Sequence, residues 1–191
     1  MSTNKVNLGA GNAADSGTTG MFYTAPAGTA LPTYPSETLA QDWEEVGAIS
    51  VDGITFNTNH TFNELKNWAN KIARLLPAEE SGTVGAPIID TTEKSFKTIF
   101  GSENVTVTAA TSAHGKLINV DVEKDTMPGP AAYLFLMKDG DDMIMIGTTK
   151  GYITELGETA FQPNAAITWD ATIKADKWTI MKDDGQVTGT T

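Results

Sequence analysis

The side chains of this 191-residue chain best suited to chemistry are two histidines and 24 carboxylates, with no cysteine beside them. His60 and His114 stand far apart in polar, loop-like surroundings, and a zinc site needs more ligands than they supply. Asp121 and Glu123 fall on one face of an alternating stretch and have the residue types of a glycosidase pair. Side by side on one strand, they lack the opposed placement across a bond that this chemistry needs; a solvated acidic face accounts for them. Asp139, Asp141 and Asp142 flank Gly140 as weak calcium ligands would, but Asp-Gly turn chemistry explains the first, and the full calcium-loop pattern is absent. Gly9-Ala10-Gly11 has neither the strand before it nor the helix after it that a phosphate loop requires. Asn59-His60-Thr61 and Asn104-Val105-Thr106 match glycosylation acceptors, which matter only on secretion. These residue types point to no catalytic site, cofactor or metal.

Charge narrows the partners. With 13 basic and 24 acidic residues the formal charge is -11, which argues against gripping nucleic acid through phosphate neutralisation while leaving passage of nucleic acid open. A 40% hydrophobic content supports one cored domain, or one domain with a long arm, held by burial alone in the absence of disulfides. The opening Met-Ser-Thr-Asn-Lys-Val-Asn lacks an apolar signal region, and no apolar run approaches the ~20 residues of a membrane span. A soluble intracellular product without membrane insertion is expected.

The elements follow from pattern and turn chemistry. Asp52-Gly53 inside 46–56 predicts a hairpin in which Val51 faces Ile54 and Ile49 faces Phe56. Residues 1–40, rich in Gly, Ala, Thr, Ser and Pro, read as an arm, either loose or pinned to an adjacent subunit by Phe22 and Tyr23. In 65–76, Leu65, Trp68, Ala69, Ile72, Leu75 and Leu76 have helical spacing, with Thr61 and Glu64 as a capping box and Pro77 as the stop; Trp68, Ile72 and Leu76 also fit a strand. Residues 77–85 read as an exposed loop and 86–89 as a strand. Asp90 is expected to cap a helix over 91–100 whose stripe is Phe96, Ile99 and Phe100, with Gly101 as the left-handed stop. Alternation then predicts strands at Val105 and Val107, at Ile118, Val120 and Val122, over 165–174, and at Trp178 and Ile180.

One hairpin departs from the wet-and-dry pattern. A turn at Asp139-Gly140 pairs Leu136 with Met143 and Leu134 with Met145 on one face, and Phe135 with Ile144 and Tyr133 with Ile146 on the other. Both faces are apolar, so the hairpin needs a second cover, either the 91–100 helix or another subunit. Tyr133, Phe135, Met137, Ile144 and Ile146 are therefore the subunit-interface candidates.

The run Trp43-Glu44-Glu45-Val46-Gly47-Ala48-Ile49-Ser50-Val51-Asp52-Gly53-Ile54, then Glu64-Leu65-Lys66 with Trp68 and Arg74, then Glu93-Lys94-Ser95-Phe96-Lys97-Thr98-Ile99-Phe100-Gly101, resembles the major tail protein, or tail tube protein, of long-tailed bacteriophages. The similarity continues through Tyr133-Leu134-Phe135 to Gly157-Glu158 and covers roughly 43–182. It departs at the helix-compatible 65–76, where the resemblance favours strand, and in the arm before Pro35. The resemblance implies a mainly β chain: a β-sandwich with one flanking α-helix, tail-tube-like, with a loosely structured N-terminal arm over 1–40, the sandwich over 41–182 and a flexible tail over 183–191. It implies a structural virion protein, not an enzyme, made in the host cytoplasm and placed in the tail. Hexameric rings of it would stack into a tube through which viral DNA passes without sequence-specific binding, alongside tape-measure and terminator proteins. On that reading Glu79, Glu80, Ser81 and Gly82 form a loop reaching the next ring. The wet faces holding Asp121 and Glu123 on one strand and Asp170 on another are the candidates for the lumen, or equally for the outer surface. The alternative is a carbohydrate-binding β-sandwich module, which would display two or three aromatics on one sheet face. Here Trp169 alternates inward and Trp68 sits in an apolar pattern. A β-rich hydrolase lacks a nucleophile and base.

Overall fold

A computed structural model describes residues 22–122, 127–139, 141–164 and 166–185. The strands are β1 (Phe22–Pro26), β2 (Glu44–Gly47), β3 (Thr55–Lys66), β4 (Ile72–Ile88), β5 (Val105–Thr108), β6 (Leu117–Val120), β7 (Ala131–Asp139), β8 (Asp142–Leu156), β9 (Trp169–Ala175) and β10 (Thr179–Asp183), with one helix, α1 (Glu93–Phe100). The main sheet runs β2-β1-β7-β8-β9-β4-β3, every pairing is antiparallel, and β10 pairs with β8. β8 is long enough to serve two half-sheets: Met143 to Gly147 pair with β10, and Tyr152 to Leu156 lie against β9. The halves close on one apolar cluster, with Phe22, Tyr133, Phe135 and Ile146 from one side and Val84, Ala86, Ile88, Ile153, Ala171 and Ile173 from the other. Ile99 of α1 joins the same cluster. This is the expected mainly β sandwich with one flanking helix.

The β7–β8 hairpin is dry on both faces, as its pattern requires, but its second cover is neither α1 nor a neighbour. Ala132, Leu134, Leu136 and Met145 pack under Trp43, Leu31 and Leu39 of the segment that joins β1 to β2. Tyr133, Phe135 and Ile146 are buried inside their own subunit, which removes these three as interface side chains; Met137 and Ile144 are half-buried. The hairpin register is Phe135 to Ile146 and Leu136 to Met145, two residues from the expected pairing. Side chains alternate with period two, so this shift leaves every face assignment intact.

The segment 22–40 belongs to the body and is not an arm. β1 lies between β2 and β7, and Phe22 stacks on Phe135 with ring centroids 4.6 Å apart and planes 5° from parallel. Phe22 therefore anchors this subunit's core, and the expected pin to a neighbour is not its role. Residues 1–21, and 186–191 of the expected C-terminal tail, lie outside the described residues.

The 46–56 stretch is a corner and not a hairpin. The Gly53 N–H donates to the Ser50 carbonyl at 2.9 Å and Gly53 has φ +70°, so the turn forms one residue earlier than expected. Its two arms then part, β2 pairing with β1 and β3 with β4, which leaves Val51 fully exposed. The helix starts later than expected, because Thr92 and Ser95 make the capping box and Thr92 is the N-cap. The Asp90 carboxylate instead accepts the Ala48 N–H at 2.9 Å and ties the corner to the helix entry. Gly101 has φ 91° and ψ 141°, a positive-φ stop outside the left-handed helical region.

Replacing Phe22 with Ala should destabilise the isolated subunit by about 3–5 kcal/mol through the cavity and the lost stack. A denaturant midpoint changed by less than about 0.5 kcal/mol would return Phe22 to the surface.

Candidate functional site

Residues 65–76 are neither helix nor body. β3 and β4 form a long hairpin whose turn is closed by Asn67: its Oδ1 accepts the Ala69 N–H at 3.0 Å and the Lys71 N–H at 3.1 Å. Asn70 takes φ 58°, the left-handed conformation that Asn tolerates better than most residues. This local turn chemistry outweighs the helical spacing of the flanking apolar residues. Residues 77–85 continue in β4 and form no loop; Pro77 sits at an irregularity of the pairing with β3, where a missing donor is tolerated.

β4 pairs with β9 only as far as Gly82 opposite Ala175. Beyond Gly82 the two strands β3 and β4 form a ribbon that no third strand joins among the described residues. Its root is fixed by Trp178, whose indole N–H donates to the Gly82 carbonyl at 2.9 Å and whose ring meets Phe56 edge-on at 6.1 Å. A Cβ on Gly82 would lie 2.4 Å from Trp178 Cδ1, so only glycine lets the indole lie on the strand. From Gly82 to Ile72 the ribbon reaches roughly 33 Å at ~3.3 Å per residue.

The far half of this arm is apolar and basic. Phe62, Leu65, Trp68, Ile72, Leu75 and Leu76 are all large exposed apolar side chains, with Trp68 at the tip fully exposed. The pairing puts Phe62, Ile72 and Leu75 on one face and Leu65 and Leu76 on the other. Residues 62–76 hold Lys66, Lys71 and Arg74, the chain's single arginine, against one acid, Glu64. This stretch carries a net +2 on a chain of net -11. A two-stranded ribbon is marginal in water by itself, and large apolar side chains left exposed on both of its faces mark an interaction surface. Helical periodicity hid the arm in the sequence; the spacing of Asn67 and Asn70 was the signal that pointed to a turn.

Other expected site residues are dispersed. Glu79, Glu80, Ser81 and Gly82 lie in the stem of the arm, far from its tip, with Ser81 buried. Asp121 is exposed just after β6, in a separate two-stranded sheet with β5, and its N–H donates to the Asn104 carbonyl at 2.9 Å. Asp170 is exposed on β9 of the main sheet. Asp121 and Asp170 thus lie on different sheets, and Glu123 lies outside the described residues. His60 is exposed on the arm and His114 in a loop. Among the described residues no group of three His, Asp or Glu side chains is placed to hold a metal, and no helix is long and apolar enough to cross a membrane.

The grooves beside α1 are occupied by mutually paired charges. Glu93 accepts from Lys97 at 2.7 Å and from Lys116 at 2.5 Å, and those hydrogen bonds, Lys116 first, hold its carboxyl down to about 2. The indoles do not form a sugar-binding row either. Trp43 is buried and Trp178 lies on Gly82, while Trp169 is boxed edge-on by Phe96, Phe100 and Phe161 at 5.1, 5.8 and 6.2 Å.

A family model described as phage tail tube protein matches residues 11–178. No curated protein matches the chain. Among solved structures it is similar to a chain of the anti-feeding prophage cap, the AFP tube terminating cap, at 11% identity and TM-score 0.48, over 87% of this chain and 91% of that one. It is also similar to a chain from the tail of an empty GTA particle refined helically with C6 symmetry, at 11% identity and TM-score 0.41, over 88% of this chain and 99% of that one.

Replacing Gly82 with Ala should push Trp178 off the root of the arm, cost about 1–3 kcal/mol and red-shift the tryptophan emission of the folded subunit. An unchanged spectrum and midpoint would show that the indole does not fix the arm.

Proposed function

We propose that this chain, which belongs to the phage tail tube protein family, polymerises as stacked rings into the tail tube and encloses the channel through which the genome leaves. It is a structural protein of the virion tail. One observation carries the polymer: the body closes both faces of its own β7–β8 hairpin, while the arm leaves six large apolar side chains uncovered. At roughly 1.5–3 kcal/mol for each large side chain taken fully out of water, covering them between copies supplies a substantial drive to associate. The ring-stacking contact assigned by resemblance to residues 79–82 moves with this reading to the far half of the arm, for which those residues are the stem. Rings of six subunits, and tape-measure and terminator proteins as partners, follow from the family resemblance.

The charge supports passage of DNA and not its retention. Duplex DNA carries one negative charge per ~1.7 Å, so a channel rich in Lys and Arg would hold the genome with strong, salt-dependent affinity. A subunit of net -11 offers little such attraction.

Deleting residues 62–78 and closing Thr61 to its strand partner Glu79 with a two-residue Asn-Gly turn should leave the stability of the subunit within about 1 kcal/mol of the parent, since exposed side chains contribute little to monomer stability. The same variant should form no tubes in electron micrographs at concentrations where the parent does. Tubes of normal length from the shortened chain would overturn the assignment of the polymer contact to the arm.

A further inference from the structure

We propose that the far half of the arm, residues 62–76, docks on the opposite pole of a second copy, on the surface made by the 50–53 corner and the 155–161 segment. The inference rests on the tube reading and names the surface that receives the arm.

The strand register locates that pole. β4 runs from the arm at Ile72 to Ile88, and at Ile88 it pairs with Trp169 and is bridged by Ile49. The Ser50 N–H donates to the Pro87 carbonyl at 2.8 Å, and the Gly157 N–H donates to the Asp170 carbonyl at 2.8 Å. Phe161 rests edge-on against Trp169. The corner, the 155–161 segment and Asp170 thus gather at the end of β4 remote from the arm. Sixteen steps along the strand separate Ile72 from Ile88, roughly 50 Å at ~3.3 Å each. An extended ribbon cannot turn back over that distance onto its own subunit, so arm and pole meet only between copies.

The two surfaces match in chemistry. The pole exposes Val51, Leu156 and Phe161, apolar partners for an arm that exposes Trp68 and Ile72. Around them Asp52, Glu155, Glu158 and Asp170 are exposed, and neither 48–56 nor 153–170 contains a lysine or arginine. Opposite them the arm brings Lys66, Lys71 and Arg74. Apolar contact supplies attraction, and the opposed charges set which end of the next copy is accepted. Because the two patches differ and lie at opposite ends of one chain, the contact is head-to-tail; it leaves a free arm and a free pole after every addition and generates an open stack, not a closed dimer.

The chain contains no cysteine, so introduced thiols report alone. Ala69 at the arm tip and Ala160 at the pole are both exposed, and the full-length A69C/A160C double variant, assembled and treated with a short bismaleimide, tests the contact. The expected result is a covalent ladder extending well beyond dimer on denaturing gels, with either single variant remaining monomeric because each contact then holds only one thiol. Tubes visible by electron microscopy with no ladder would overturn the docking surface and leave the tube reading standing. Failure of both parent and variant to form any polymer would overturn the tube reading, and this inference with it.

Discussion

The two apolar faces of β7 and the first part of β8 constrain the rest of the body. A strand pair that is dry on both sides must be sandwiched, and the chain achieves this within one subunit. The β4–β9 half-sheet closes over Tyr133, Phe135 and Ile146, and the segment from β1 to β2 closes over Leu134, Leu136 and Met145. That requirement places Phe22 in the core, puts β1 in the sheet beside β7, and makes β8 long enough to belong to both halves. It also gives the Gly- and Pro-rich stretch before Trp43 a packing role, because Leu31 and Leu39 supply cover that no strand provides.

Once the hairpin is satisfied in this way, the arm stands out as the densest run of exposed apolar side chains among the described residues. Exposed apolar side chains scattered singly are normal, but the far half of the arm gathers six of them on one hairpin. Its single arginine and two lysines stand on an otherwise acidic molecule. Surface that gains cover only in the assembled state couples the order of the arm to the concentration of subunits. The stem between body and tip is polar on both strands, with Asn57, Thr58, Asn59 and His60 facing Thr83, Gly82, Ser81 and Glu80, so it spans the gap without adding a second adhesive surface.

The sequence was most legible where one local signal stood without a rival. The Phe96, Ile99 and Phe100 stripe marked α1, and the alternation of Trp169, Ala171 and Ile173 marked β9. The β7–β8 faces were legible although the register was not, because a two-residue slip preserves parity. Where two signals competed, the stronger in isolation lost. Leu65, Trp68, Ile72 and Leu76 fit a helix of 3.6 residues per turn, but Asn67 and Asn70 close a turn between them, and a ribbon that is uncovered in the subunit has no amphipathic face to betray it. Asp52-Gly53 marked a turn, which forms one residue earlier than expected, but not its partners, since a turn does not specify whether its flanking strands pair with each other or with β1 and β4. β1 was hidden because five residues with two aromatics show no period, and their role exists only against Phe135.

Amide hydrogen exchange read by mass spectrometry in free subunits and in assembled tubes tests the central claim, that residues 62–76 are uncovered in the subunit and covered by another copy. The account predicts fast exchange across the arm in the free subunit and slowing by about 100-fold or more in tubes, while β7 is protected to a similar degree in both. Equal exchange of 62–76 in the two states, with tubes present, would contradict it.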